Sequence, residues 1–178
     1  MIEESKGQSG SSSSEGEVVL ITGITGYVGS HLGLQLLDQC GSRFKLRATV
    51  RNPKKLEGLK KAYGEEKFSK IEFLEADLLQ KEALDKAIQG AQYIIHVANP
   101  LPGATQLSEE QMMQPTVEGM KTILDAALKY SVKKLIVTSS LATIVGGVWK
   151  RDTGENHYTE ADVAPAEGAD GYGRSKIA

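Results

Sequence analysis

Residues 17–32 read EVVLITGITGYVGSHL, an apolar and β-branched run that breaks into Gly23, Gly26 and Gly29 and then resumes as a helix-like pattern. A buried strand, a glycine turn and an apolar helix start form a pattern whose chemistry can be named, the binding of a dinucleotide diphosphate. Gly23 permits the tight turn, Gly26 lets backbone N–H groups approach the phosphates, and Gly29 lets the helix sit close on the strand. The phosphates then meet the positive end of the helix dipole. The spacing departs from GxGxxG, because Ile24 and Thr25 separate the first two glycines. No GK[ST] follows, which disfavours a phosphate loop of the nucleotide-hydrolase type.

Working outward, strands and helices alternate along the chain. After a first strand at 18–22, a helix over 27–39 places Val28, Leu32, Gln35, Leu36 and Gln39 along one stripe, broadened by Leu34 and Leu37 and stopped by Gly41. A second strand at 45–50 leads into Pro53, suited to the first turn of a helix carrying Leu56 and Leu59. A third strand at 71–75 precedes a helix over 81–89. The apolar run 93–98 reads as a central strand buried on both faces. A long helix follows from a Ser108 cap to Tyr130, bent or reset at Pro115, and a fifth strand spans 134–138. This order predicts an α/β, Rossmann-like, doubly wound parallel sheet with right-handed crossovers, helices on both faces and ligands beyond the carboxyl ends of the strands.

Composition narrows the partners. At 178 residues, with 40% apolar and 25% charged residues, the chain can bury one core without disulfides or metals. A net charge of -2 makes no electrostatic case for nucleic acid or an anionic membrane surface, so a small-molecule ligand is expected. The single cysteine, Cys40, leaves no internal disulfide and no zinc-type cluster, and reads as a small residue at the end of the first helix. No apolar run reaches the ~20 residues of a membrane span, and no signal sequence opens the chain, which points to the cytoplasm. Residues 1–16, rich in Ser, Gly and Glu, read as a flexible tail before a domain over 17–178.

The second strand ends at Arg51, with Lys54 and Lys55 close behind and no carboxylate at the strand end. A guanidinium there pairs with a 2′-phosphate through two hydrogen bonds, favouring NADP (NADPH) over NAD; the bland alternative is a solvated basic helix start. Tyr172 and Lys176 in YGRSK stand four apart on one helix face, roughly 5–6 Å between Cβ atoms. The ammonium favours the phenolate and lowers a pKa that starts at ~10, making the tyrosine a proton donor or acceptor near neutrality. Ser140 ends the fifth strand, where a substrate carbonyl lies; a turn or helix cap is the other reading for it and for Ser139. His96, inside an apolar strand, reads as a satisfied core residue. Trp149 and the acidic stretch 155–162 read as a loop after the fifth strand, and His157 is given no role.

The ordered set TGITGYVGSHL, Arg51, Asp77-Leu78, HVANP from His96, VTSS ending at Ser140, and YGRSK resembles the extended short-chain dehydrogenase/reductases of the NAD-dependent epimerase/dehydratase superfamily. It is most similar to their dihydroflavonol reductase-like branch. The resemblance implies NADPH-dependent reduction of a ketone or aldehyde, with a carbonyl or alcohol as substrate. It implies Ser140, Tyr172 and Lys176 as the catalytic set, with Ser139 standing in should the serine be off by one. Gly23, Gly26 and Gly29 take the diphosphate, Arg51 and Lys55 the 2′-phosphate, and Asp77 and Leu78 the adenine. Thr25, Tyr27, Val28, Val97 and Ala98 are the remaining expected coenzyme contacts.

Family members run to roughly twice this length, so the resemblance implies that C-terminal strands and a substrate subdomain are missing after YGRSK and that full activity needs residues beyond 178. A homodimer paired through a helix bundle is also expected by analogy. Two other readings stay open: a non-catalytic dinucleotide- or partner-binding fragment, and a nucleotide-sugar epimerase or dehydratase. Arg51 speaks against the last, where tightly held NAD is usual.

Overall fold

A computed structural model describes residues 16–101, 107–145 and 158–178. The expected tail over 1–15, Trp149, His157 and the start of the acidic stretch lie outside these residues. Five strands, β1 (Glu17–Thr22), β2 (Phe44–Val50), β3 (Ile71–Glu75), β4 (Tyr93–His96) and β5 (Lys134–Val137), form one sheet in the order β3-β2-β1-β4-β5. Every neighbouring pair is parallel. The helices are α1 (Tyr27–Cys40), α2 (Leu56–Tyr63), α3 (Glu65–Phe68), α4 (Lys81–Ile88), α5 (Glu109–Lys129), α6 (Ala142–Val145) and α7 (Gly171–Ile177). The doubly wound α/β fold expected from the sequence is therefore the fold observed. Among the described residues no helix is long and apolar enough to cross a membrane.

β1 is buried on both faces because it feeds two cores. Val19 and Ile21 join Leu46, Ala48, Val50 and Ile71 on one side, covered by Leu59 and Tyr63 of α2 and the leucines of α1. Leu20 turns the other way, to Ile94, Ala87 and Ile88 of α4, and Ile123 and Ala126 of α5. Leu20, Ile21 and Ile94 are wholly buried, each contributing roughly 1.5–3 kcal/mol of apolar transfer. β1 is thus the middle strand, and β4, expected as a central strand, lies inside the sheet between β1 and β5, which forms an edge.

Three local readings change. The buried face of α1 is not the stripe through Val28, Gln35 and Gln39, which are exposed; it runs through Gly29 and Gly33, flanked by partly buried leucines. Glycine lets the helix backbone contact its neighbours directly, so the smallest residues, not the largest, mark the packed side. β4 stops at His96 rather than Ala98: the Val97 N–H is shared between the carbonyl and hydroxyl oxygens of Thr22, and the Ala98 N–H turns to that hydroxyl. The long helix expected from a Ser108 cap is α5, begun by a capping box of Ser108 and Gln111 and continuous through Pro115. Pro53–Lys55 forms a short 3-10 turn ahead of α2, and α3 and α6 were not anticipated.

Candidate functional site

The strand order reverses between β1 and β4, so a crevice opens beyond their carboxyl ends, where ligands of such sheets bind. The glycine loop lies there. Gly23 has φ +78°, and a Cβ on it would come 2.7 Å from the Ala98 nitrogen, so β1 and the segment after β4 touch through backbone. A Cβ on Gly29 would overlap the Gly23 carbonyl oxygen. At Gly26 the nearest such contact is 3.4 Å, and the space outside is open. Gly26 is also the N-cap of α1: its carbonyl accepts from Ser30 N–H at 2.9 Å, and it offers no side chain to the first turn. With no acidic residue in that turn, the N–H groups of Tyr27, Val28 and Gly29 face outward at the positive end of the helix. Tyr27 and Val28 are 82% and 52% exposed. A diphosphate fits this cradle in charge and in the backbone approach that side chains would block.

Thr22 locks the crevice wall. Its hydroxyl oxygen accepts from Ala98 N–H at 3.2 Å and shares the Val97 N–H with the Thr22 carbonyl, and the same hydroxyl is hydrogen-bonded to His96 Nδ1 at 2.7 Å. Burial pushes the His96 pKa down to about 4, with the Lys176 ammonium adding in the same direction. The core reading of His96 holds, and its consequence is measurable. A histidine kept neutral stabilises the fold fully above its unfolded pKa of about 6.5, and that contribution is lost as pH falls through 4, about 3 kcal/mol in all. Denaturant unfolding between pH 7 and 4 should show this slope, and His96→Asn should flatten it.

At the end of β2, Arg51 is 74% exposed and its Nε lies 3.8 Å from an Asp77 carboxylate oxygen. The sequence shows no carboxylate at this strand end, yet the fold brings one in from the end of β3. Asp77 also accepts from Leu79 N–H at 3.0 Å, which shapes the turn holding Leu78. Leu78 is pressed by α5, where a Cβ on Gly119 would come 2.9 Å from the leucine Cβ. Lys54 and Lys55 stand exposed in the turn capped by Asn52.

The third part comes from β5 and α7. Ser140 accepts from Ala142 N–H at 3.2 Å, a turn role that leaves its own hydrogen free to donate. Both readings of this serine, turn former and hydroxyl donor, are thus compatible in one residue. α7 begins at the Asp170 cap, which accepts from Gly173 N–H at 2.6 Å. Gly173 and Ser175 are buried, and Gly171 lies so near Met112 of α5 that a Cβ would reach its methyl at 2.7 Å. The small residues of YGRSK are therefore its packing face. Arg174 pairs with Glu109 of α5 at 3.1 Å, and Lys176 donates to the Thr138 carbonyl at 3.0 Å, tying α7 to the end of β5 two residues before Ser140. Half-burial pushes the Lys176 pKa down.

The sequence reading missed Thr22, Gly119 and Tyr63 as structural determinants. A threonine closing an apolar strand was the available signal for the first, since a hydroxyl placed there needs partners.

A parallel five-stranded sheet with a glycine loop at its switch point defines a Rossmann-like α/β domain. The chain belongs to the NAD dependent epimerase/dehydratase family, whose model matches residues 19–178. Dihydroflavonol 4-reductase from Gerbera hybrida is 33% identical over 147 residues, covering 81% of this chain and 39% of that protein. Yeast methylglyoxal/isovaleraldehyde reductase Gre2, complexed with NADPH, matches with TM-score 0.75 at 24% identity, over 90% of this chain and 49% of that one. Gre2 from Candida albicans, in complex with NADPH, matches with TM-score 0.72 at 26% identity, over 90% and 50%. The chain thus spans about two fifths to one half of the length of these proteins.

Proposed function

We propose that this chain carries the coenzyme-binding and proton-donating parts of an NADPH-dependent reductase of ketones or aldehydes. The bond from Lys176 to the Thr138 carbonyl supports this reading most, because it draws the Tyr172–Lys176 helix to the strand ends where the glycine cradle and Ser140 lie. The likeness to a dihydroflavonol 4-reductase and to two NADPH-bound reductases agrees with it. Gly23, Gly26 and Gly29, with Thr25, Tyr27 and Val28, hold the diphosphate. Arg51 and Lys55 take the 2′-phosphate, Asp77 and Leu78 the adenine, and Val97 and Ala98 line the crevice toward the nicotinamide. When bound, NADPH supplies the hydride. Ser140 donates its free hydrogen to the substrate carbonyl oxygen, Tyr172 protonates that oxygen, and the Lys176 ammonium favours the phenolate left behind. Lys176 also binds the nicotinamide ribose.

The exposed Arg51 carries the coenzyme preference. Arg51→Glu should weaken NADPH by tenfold or more, about 1.4 kcal/mol or greater, since a charge-assisted pair is replaced by repulsion, and should leave NADH within about threefold. Titration of the purified chain with both coenzymes, followed by coenzyme fluorescence, reads this. Equal loss for both would remove Arg51 from the 2′-phosphate, and tight NAD with indifference to NADPH would favour the epimerase reading. NADPH binding with no oxidation of it by any ketone or aldehyde, in the protein carrying its full downstream sequence, would favour a non-catalytic module.

A further inference from the structure

One buried phenol joins α2 to α1. Tyr63, the last residue of α2, is 7% exposed, and its hydroxyl donates to the Ser30 carbonyl of α1. Gly33 makes the room: a Cβ there would lie 2.6 Å from the Tyr63 oxygen and 3.1 Å from Ile24 Cδ1. Ile24, inside the glycine loop, is wholly buried in the cluster that holds Leu59 and Tyr63. Burial pushes the Tyr63 pKa up, so the hydroxyl keeps its proton near neutrality. The opposite end of α2 follows the basic turn, where Asn52 caps Lys54 N–H at 3.0 Å and Lys54 and Lys55 stand exposed.

We infer that Tyr63 is a positioning residue whose hydroxyl, bonded to the Ser30 carbonyl of α1 beside Gly33, fixes the separation between the start of α1 and residues 51–55, and with it the preference for a coenzyme bearing a 2′-phosphate. This rests on the function proposed above. NADH and NADPH place the same diphosphate at the start of α1; the 2′-phosphate alone adds an anion that residues 51–55 must meet at the same time. A change in the separation is therefore felt by NADPH and scarcely by NADH. The hydroxyl touches neither phosphate, so its effect runs entirely through the packing of α2 on α1.

The test is a double-mutant cycle on the full chain, read as the ratio of NADPH to NADH affinity, with the thermal midpoint followed alongside. Tyr63→Phe keeps the ring and removes the hydroxyl; it should lower the ratio by about tenfold, the upper range for one hydrogen-bonding group. Gly33→Ala drives a methyl at the same oxygen and should lower the ratio in the wild-type background, but change it by less than about twofold in the Tyr63→Phe background, where the obstacle is gone. A fall in thermal midpoint with an unchanged ratio overturns the inference, as does a Gly33→Ala effect that is the same in both backgrounds. Should Tyr63→Phe fail to fold, Gly33→Ala alone decides, and an unchanged ratio overturns the inference. A wild-type chain that shows no preference for NADPH overturns both this inference and the function it rests on; a preference that survives Tyr63→Phe overturns the inference alone.

Discussion

Gly29→Ala should abolish coenzyme binding and lower the stability of the fold by about 3 kcal/mol, the upper part of the usual range for overpacking. The added methyl would occupy the place of the Gly23 carbonyl oxygen and come 2.8 Å from the Gly23 carbonyl carbon and 3.0 Å from Ile24 Cα. These are backbone atoms of the loop itself, and none can swing aside as a side-chain end would. Either α1 lifts from β1, or the loop gives up the turn that Gly23 makes at φ +78°. Both movements take the start of α1 away from the crevice. Gly26→Ala is the control: its methyl meets the Gly23 oxygen at 3.4 Å, ordinary contact, so the fold should keep its thermal midpoint while the methyl fills the cradle and weakens binding. Thermal unfolding and coenzyme titration of both variants separate the two effects; a Gly29→Ala variant that binds as tightly as wild type would refute the account of the loop.

Tyr172→Phe should reduce carbonyl reduction by roughly 10²–10⁴-fold in the protein carrying its full downstream sequence, the range a positioned general acid supplies, with coenzyme affinity unchanged within about twofold. Phenylalanine keeps the ring and removes only the hydroxyl. The α7 helix should survive, since its contacts are made by Gly171, Gly173, Ser175, the Asp170 cap and the Arg174–Glu109 pair rather than by the phenol oxygen. Lys176 would still hold the Thr138 carbonyl. A variant that retains wild-type turnover would assign the proton to another group, and one that loses coenzyme binding as well would make Tyr172 a binding residue.

Much of the architecture was readable in advance, and for a reason particular to this fold. Each strand of a parallel sheet is bounded by its own crossover, so local patterns suffice to mark elements in order: the run at Ile71–Glu75, the Ser108 capping box, the stop at Gly41. The five strands, their sequence and the grouping of candidate residues at strand ends follow from that. The helix stripe of α1 was misread, because periodicity weighs large apolar side chains and is blind to a face made of Gly29 and Gly33.

What lay beyond reach was every relation between distant segments. The sequence placed Arg51 at a strand end but not Asp77 beside it, since that meeting depends on β3 pairing with β2. It placed Thr22 and His96 in two strands without disclosing that a hydroxyl joins them, which requires β1 and β4 in register with Thr22 opposite His96. Tyr63 reads along the chain as the end of a short helix; only the docking of α2 over Gly33 brings its hydroxyl to the Ser30 carbonyl. The chain alone therefore determined which elements form and where the glycines must bend it, because these are matters of local conformation and burial. Tertiary structure decided which polar groups satisfy one another, because a buried donor takes whatever acceptor the packing delivers, and neighbours up to 76 residues apart in sequence leave no trace in local pattern.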